Sequence, residues 1–256
     1  MSVSYYSETL TLASDASKTG TFRWWTATNQ DISVVNMLSD ENEGQPVADW
    51  NVDTAVNGVF FPNDGRINNE VNAFAIDSGA WVINGCNINY EDTAHRCPFD
   101  FMMDPVDKRG TESLIFFGNG GELPVDSIAG PGEGYANITL ADINWGVGGM
   151  NLDLDKSDYD DKTVFNSRWR WSGYCQSAGY AARTAIGYTG GSYRSTNFII
   201  ATCSSCTMYD IRMFLKQHGC WYFGLYIDGG GSTSAKNNGS IVISSTRKIP
   251  TVIAMS

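Results

Sequence analysis

The stretch TMYDIRMFLKQHGCWYFGLYIDGGGS, residues 207–232, carries the clearest structural signals in this 256-residue chain. Apolar side chains recur at spacings of three and four, as on one face of a helix, at Met208, Ile211 and Leu215. Thr207 can cap the start of this helix, and Asp210 is suitably spaced to form a weaker version of the capping box. Gly219 stands where a left-handed residue ends a helix. The sequence therefore predicts one helix between Thr207 and Gly219.

A strand is predicted directly after this helix, at residues 221–227, and it leads into Asp228 and three glycines. Loops at strand ends often hold functional residues, because a rigid element positions them at the surface. The order strand, helix, strand and glycine-rich loop therefore predicts a site built on residues 228–232.

Elsewhere, short β-branched and aromatic runs alternate with turn residues, among them many of the twenty-seven glycines. These runs predict further strands at residues 59–61, 74–76, 80–83, 114–117, 197–202, 240–243 and 251–254. No internal repeat or low-complexity linker separates them. We therefore expect a single domain over residues 1–256.

The composition is that of a packed globular protein, with 42% hydrophobic and 18% charged residues. The net charge is −11 and no basic stripe is visible, so we expect neither a nucleic acid nor a membrane surface as partner. No apolar stretch reaches the length of a transmembrane helix. The oligomeric state is left open.

Asp228 is the first candidate for chemistry. A carboxylate at the end of an apolar strand is partly desolvated, which raises its pKa and suits it to proton transfer. Gly229 and Gly230 let the backbone approach a ligand closely, and Ser232 and Thr233 add hydroxyl donors. The alternative is a glycine-rich hairpin in which the aspartate caps a turn.

Two further motifs are candidates for substrate binding. Arg183 and Thr184 begin the run Arg-Thr-Ala-Ile-Gly, and the planar guanidinium of an arginine matches a phosphate group. A structural ion-pair arginine is the alternative. Asn57 and Gly58 begin Asn-Gly-Val-Phe-Phe, in which Asn-Gly is a turn signal and the aromatic pair is more typical of a core.

Two weaker patterns concern metals and cysteines. Five aspartates lie between residues 153 and 161, but their spacing does not follow an EF-hand, so calcium stays an alternative to a solvated acidic loop. Cys203 and Cys206 form the only close cysteine pair, and free, partly buried thiols are expected rather than a zinc or redox site. No cofactor is predicted.

In their order along the chain, these motifs resemble those of the phosphodiester glycosidase family. The resemblance covers residues 50–256 and is strongest over residues 183–254, where the Arg-Thr-Ala-Ile-Gly run precedes Asp-Gly-Gly-Gly-Ser. Residues 1–49 would then supply N-terminal strands of the same domain. Val59 replaces the second glycine of the family's first motif, and residues 86–140 do not align.

The resemblance implies an α+β fold with a twisted mixed β-sheet and few helices. It also implies hydrolysis of a sugar-1-phosphodiester or a related N-acetylhexosaminyl bond. Asp228 would be base or nucleophile, Arg183 a phosphate clamp, and Asn57 and Ser232 would hold sugar or phosphate oxygens. Glu70 is a candidate second carboxylate.

Two other functions remain open at the level of sequence. One is a viral or bacterial glycosidase that cuts a cell wall or capsule, and the other is a virion protein that binds carbohydrate without catalysis. Residues 1–20 lack the basic start and apolar core of a signal peptide. We therefore expect a cytoplasmic protein at synthesis that reaches its glycan by lysis or within a virus particle.

Overall fold

The computed structural model describes residues 3–38, 43–59, 74–78, 80–84, 100–105, 115–117, 143–168, 179–189 and 197–256. These residues form strands β1 to β15, in chain order Ser4–Leu12, Asp15–Thr28, Ile32–Asn36, Ala55–Asn57, Phe74–Asp77, Ala80–Asn84, Asp100–Pro105, Ile115–Phe117, Ile143–Asn151, Ala181–Thr189, Asn197–Cys206, Gly224–Tyr226, Ala235–Asn237, Ser240–Ile243 and Thr251–Met255. The helices are α1, Lys162–Arg168, and α2, Met208–Gln217. Strands thus dominate the described part of the chain.

The strands form two sheets. The larger has the order β1-β2-β11-β10-β12-β9-β5-β6, with β7 also paired to β9 and β8 to β7. The smaller has the order β14-β13-β4-β15-β3. One hydrophobic cluster contains side chains from both sheets, for example Trp25 and Ile186 from the larger and Val56 and Ile253 from the smaller. The two sheets therefore share a core, while the single-domain assignment stays a prediction.

The expectation of a mixed sheet is wrong for the part of the chain that is described. Every pairing there is antiparallel, so the fold is mostly antiparallel β with two helices. Hairpin connections explain part of this, because strands joined by a short turn, such as β1 and β2, must run in opposite directions.

The predicted helix is confirmed as α2. The Thr207 hydroxyl accepts a hydrogen bond from the Asp210 amide, and the Asp210 carboxylate accepts one from the Thr207 amide, so the capping box is complete. Gly219 has a φ of 92°, which favours glycine. The buried face of α2 packs on the larger sheet, where the rings of Phe22 and Phe214 stack with centroids 4.5 Å apart.

Of two strand predictions near the site, the one after α2 is displaced, and the one at residues 59–61 lies mostly outside the described residues. The strand near the Asn-Gly motif is Ala55–Asn57, and Val59 lies beyond its end in a bend. The strand after α2 is only Gly224–Tyr226, with Trp221 58% exposed before it. After α2 the β-forming residues therefore begin before the segment that pairs with neighbouring strands, because tertiary contacts decide where a ladder starts.

The described residues contain no helix that is long and apolar enough to cross a membrane. Cys203, Cys206 and Cys220 are free and buried, which confirms the expected unpaired thiols at these positions. Cys86, Cys97 and Cys175 lie outside the described residues.

Candidate functional site

Asn57 joins three parts of the molecule at the end of β4. Its Nδ2 donates to the backbone oxygen of Asp228 at 2.7 Å. Its Oδ1 accepts from the Thr184 hydroxyl of β10 at 2.8 Å and from the Ser234 amide at 3.3 Å. Asn57 and Thr184 are both completely buried. The side chain of Asn57 therefore fixes the backbone of the glycine-rich loop against both sheets, and direct contact with a substrate stays a prediction.

Asp228 lies in the loop after β12 and is 9% exposed. Its Oδ1 accepts a hydrogen bond from the Gly229 amide at 2.8 Å. Burial raises the pKa of Asp228 to about 6. The Ser232 hydroxyl, the charge of Arg247 and the Gly229 amide each act to lower that pKa. A carboxyl group with this pKa exchanges protons close to neutral pH.

Two polar atoms of this loop are buried and accept or donate no hydrogen bond within the described residues. They are Asp228 Oδ2 and Thr233 Oγ1. Burying a polar group without a partner is unfavourable, so such atoms are rare in folded proteins and often mark functional positions. Both atoms belong to residues that the sequence assigned to the site.

The three glycines of the loop have different surroundings. A Cβ at Gly229 would collide with the hydroxyl of Tyr226, so a larger residue there would displace that ring. Gly230 has a φ of 60°, and a Cβ on Gly230 or Gly231 would meet no heavy atom of the described residues within 4 Å. The loop is therefore tightly packed on one side of the aspartate and open where the next two glycines lie. That arrangement lets a ligand approach the backbone.

Arg183 lies on β10 beside this loop and is 4% exposed. Its guanidinium donates to the Gly179 backbone oxygen at 2.7 Å, to the Tyr226 hydroxyl at 3.0 Å and to the Cys206 backbone oxygen at 3.3 Å. All three acceptors are neutral. Arg183 thus holds the tyrosine that packs against Gly229, and its predicted role as a phosphate clamp is not decided by this geometry.

Arg247 lies beside the candidate loop and was not among the residues predicted from the sequence. It is half-buried on the connection between β14 and β15, and it donates to the Ser232 hydroxyl oxygen at 2.8 Å. Ser245 donates to the Gly231 backbone oxygen at 2.5 Å and accepts from the Arg247 amide at 3.0 Å. The run Ser-Thr-Arg-Lys at residues 245–248, a local basic pair in an acidic chain, was the available signal.

The remaining predicted residues have different outcomes. Gly58 is packed against Thr251, where a Cβ would collide, so its role in the structure is steric. Glu70 and the aromatic pair at residues 60–61 lie outside the described residues. The candidate second carboxylate therefore stays a prediction.

The acidic residues between 153 and 161 form structural contacts. The Asp160 carboxylate accepts hydrogen bonds from Arg212 at 2.7 Å and from Lys216 at 2.6 Å. Asp161 accepts from the Thr163 amide at the start of α1 at 2.7 Å. Within the described ranges, no group of three His, Cys, Asp or Glu side chains is placed to hold a metal ion. The calcium alternative gains no support from these contacts.

Comparison with known proteins gives a fold but no family. No family model matches the sequence, and no curated protein matches it. Among solved structures, the chain is similar to the catalytic domain of zebrafish N-acetylglucosamine-1-phosphodiester alpha-N-acetylglucosaminidase auto-inhibited by its pro-peptide. The TM-score is 0.61 at 15% identity, and the match covers 99% of this chain and 82% of that one.

A hypothetical protein from Synechocystis is also similar, with a TM-score of 0.57 at 13% identity. That match covers 99% of this chain and 62% of the other. At these identities the likeness establishes the fold alone. The fold of this chain is therefore similar to that of the zebrafish catalytic domain, in agreement with the coarser part of the sequence prediction.

Proposed function

We propose that this protein is a glycoside hydrolase that cleaves a sugar-1-phosphodiester or a related N-acetylhexosaminyl bond. The fold supports this proposal, since it is shared with a domain named for cleaving an N-acetylglucosamine-1-phosphodiester. Fold alone does not define function, so the argument depends on the loop at Asp228.

The observation that carries the proposal is the state of Asp228. Its carboxylate is buried, its Oδ2 accepts no hydrogen bond from any described residue, and its pKa is raised to about 6. At neutral pH most of this group is ionised, yet it is a stronger base than an ordinary aspartate. These are the properties of a general base or a nucleophile.

The proposed reaction uses one water molecule. The bond between the anomeric carbon and the phosphate oxygen breaks, and its electron pair leaves with the phosphate monoester. The water oxygen bonds to the anomeric carbon, and the water proton is taken up by Asp228 if it acts as a base. If Asp228 acts as a nucleophile, it bonds to the carbon first and water then displaces it.

The surrounding residues have supporting roles in this mechanism. Asn57 and Thr184 hold the backbone at Asp228, and Gly230 leaves room for the ligand. The open backbone of the loop and the arginines beside it would receive the negative charge that develops on the departing phosphate.

The test is to incubate the protein with UDP-linked N-acetylglucosamine, with an aryl N-acetylglucosaminide and with purified cell wall, and to identify products by mass spectrometry. We expect release of free sugar from the first substrate. Asp228→Asn is the inactive control, and Asp49→Asn is the matched variant of an exposed aspartate distant in sequence from the loop.

Three results would contradict the proposal in different ways. Release of wall fragments alone would indicate a cell-wall or capsule glycosidase. Binding of sugar without any release would indicate a carbohydrate-binding protein. Equal activity of the wild type and Asp228→Asn would remove Asp228 from the mechanism.

A further inference from the structure

We propose that Arg247 is the residue that receives the anionic part of the substrate, beside Asp228, and that it determines preference for phosphate-bearing sugars. This inference rests on the proposed function and identifies which arginine of the site contacts the substrate. The sequence motif favoured Arg183 for that role.

The first argument is the position of Arg247. Its guanidinium is 2.8 Å from the hydroxyl oxygen of Ser232, which lies four residues after Asp228. The backbone around it is fixed to the same turn, because Ser245 bridges the Arg247 amide and the Gly231 oxygen. Arg247 is therefore held against the glycine-rich loop, directly at Ser232 and through Ser245 at Gly231. It is held there although the hairpin of β13 and β14 separates it from the loop in the sequence.

The second argument is the difference in exposure between the two arginines. Arg183 is 4% exposed, and three of its hydrogen bonds go to neutral protein acceptors. Arg247 is half-buried, so part of its side chain is accessible to a ligand. Arg247 is therefore the more exposed of the two arginines, whereas a ligand would contact Arg183 only by reaching a buried guanidinium.

The third argument is electrostatic. The charge of Arg247 lowers the pKa of Asp228, so the two groups lie within range of one another. An arginine donates hydrogen bonds and accepts none, so Ser232 receives the bond from Arg247 and keeps its own proton for another acceptor. In a chain of net charge −11, an anionic substrate needs such a local cation.

The fourth argument is space. Among the described residues, a Cβ at Gly230 or Gly231 would meet nothing within 4 Å, so these two residues leave space beside the backbone. A phosphate group bound there would lie beside the Arg247 guanidinium, a cation whose planar shape matches phosphate. In the proposed complex, the anomeric carbon of the substrate would lie near Asp228 and its phosphate near Arg247.

The experiment compares Arg247→Lys and Arg183→Lys on UDP-linked N-acetylglucosamine and on a neutral aryl N-acetylglucosaminide. Lysine keeps the charge but not the planar fork. For Arg247→Lys we expect kcat/KM to fall about tenfold or more on the diphosphate substrate, the scale of one lost charge-assisted hydrogen bond. On the neutral glycoside it should fall less than about threefold. Equal losses on both substrates would overturn the inference.

Arg183→Lys provides the internal comparison. Because Arg183 holds Tyr226 and the backbone, we expect this variant to lose activity equally on both substrates and to unfold at a lower temperature. A selective loss on the diphosphate substrate in Arg183→Lys, without one in Arg247→Lys, would assign the clamp to Arg183 instead.

A binding measurement separates this inference from the proposed reaction. Inorganic phosphate is titrated calorimetrically into the wild type, Asp228→Asn and Arg247→Met, with Arg23→Met as the matched loss of a half-buried arginine from β2. We expect binding in all except Arg247→Met. That result would support the anion site even if no sugar substrate is cleaved. Absence of phosphate binding to the wild type, or its survival in Arg247→Met, would overturn it.

Discussion

Asp228 lies in a glycine-rich loop and Asp160 in an acidic one. The pKa values of these two aspartates are shifted in opposite directions. Asp160 binds Arg212 and Lys216, and although desolvation acts to raise its pKa, these hydrogen bonds and charges lower it. Asp228 accepts one backbone hydrogen bond and has a pKa raised to about 6. Direct ion pairs keep the Asp160 carboxylate ionised in a structural contact. Burial without a direct ion pair instead raises the pKa of Asp228, as is common for carboxylates that take part in chemistry.

The largest expected effect comes from Asp228→Asn. Loss of the carboxylate should lower kcat by about a hundredfold to ten-thousandfold, the usual contribution of an acid–base group. The fold should remain intact because the amide is nearly the same size. The measurement is kcat on the best substrate together with the unfolding midpoint. Near-normal turnover would show that the unpaired carboxylate is not catalytic, and the contrast with Asp160 would lose its functional meaning.

Arg212→Met should have the largest effect on stability. Arg212 is completely buried and donates to the backbone oxygens of Leu152, Asp153 and Lys156, as well as to Asp160. Its loss leaves these acceptors unsatisfied, so we expect the free energy of unfolding to fall by about 3 kcal/mol. Urea denaturation measures this change.

Asp160→Asn is the matched variant for Arg212→Met. The Asp160 side chain is 41% exposed, so solvent can replace part of what it loses, and the decrease in stability should be much smaller. Similar losses in the two variants would mean that the ion pair, rather than the backbone contacts of Arg212, stabilises this loop.

Gly229→Ala tests the packing beneath Asp228, and Gly231→Ala is its matched control. A Cβ at Gly229 collides with Tyr226, whereas one at Gly231 meets nothing within 4 Å. We expect Gly229→Ala to destabilise the protein by on the order of 1–3 kcal/mol, the cost of overpacking, and to reduce activity by displacing Asp228. Gly231→Ala should be close to wild type in stability. If both variants behave alike in thermal unfolding, the packing contact does not position the loop.

The smallest effect is the pH dependence of stability. The pKa of Asp228 is higher in the folded protein, so the folded state binds more protons and stability falls as pH rises from about 4 to about 6. The pKa of Asp160 is lower in the folded protein, so its contribution is lost as pH falls below about 4. Each group changes the free energy of unfolding by at most about 1.4 kcal/mol for each pH unit within its range.

Thermal unfolding measured from pH 3 to pH 7 distinguishes the two aspartates. Asp228→Asn should remove the decrease between pH 4 and pH 6, and Asp160→Asn should reduce the loss at lower pH. Identical profiles for both variants would contradict the opposite pKa shifts on which the comparison depends.

Local sequence was sufficient to predict the helix and to single out the loop at Asp228 as a candidate site. The ends of α2 follow from Thr207, Asp210 and Gly219, because caps depend on residues only a few positions apart. The loop at Asp228 was recognised for a similar reason, since the apolar run and the glycines adjoin it in the sequence. The desolvation predicted from that neighbourhood agrees with the raised pKa of Asp228.

The tertiary structure alone showed which atoms of distant residues contact the loop at Asp228. Asn57 reaches Asp228 across 171 positions, and no local pattern indicates that its amide would be used to hold backbone. Arg247 follows a separate hairpin and meets Ser232 only because the β14–β15 connection returns to the loop. The antiparallel pairing of the strands was missed for the same reason. Strand direction and long-range contacts depend on which segments pack together, and pairing energies act between residues that the sequence separates.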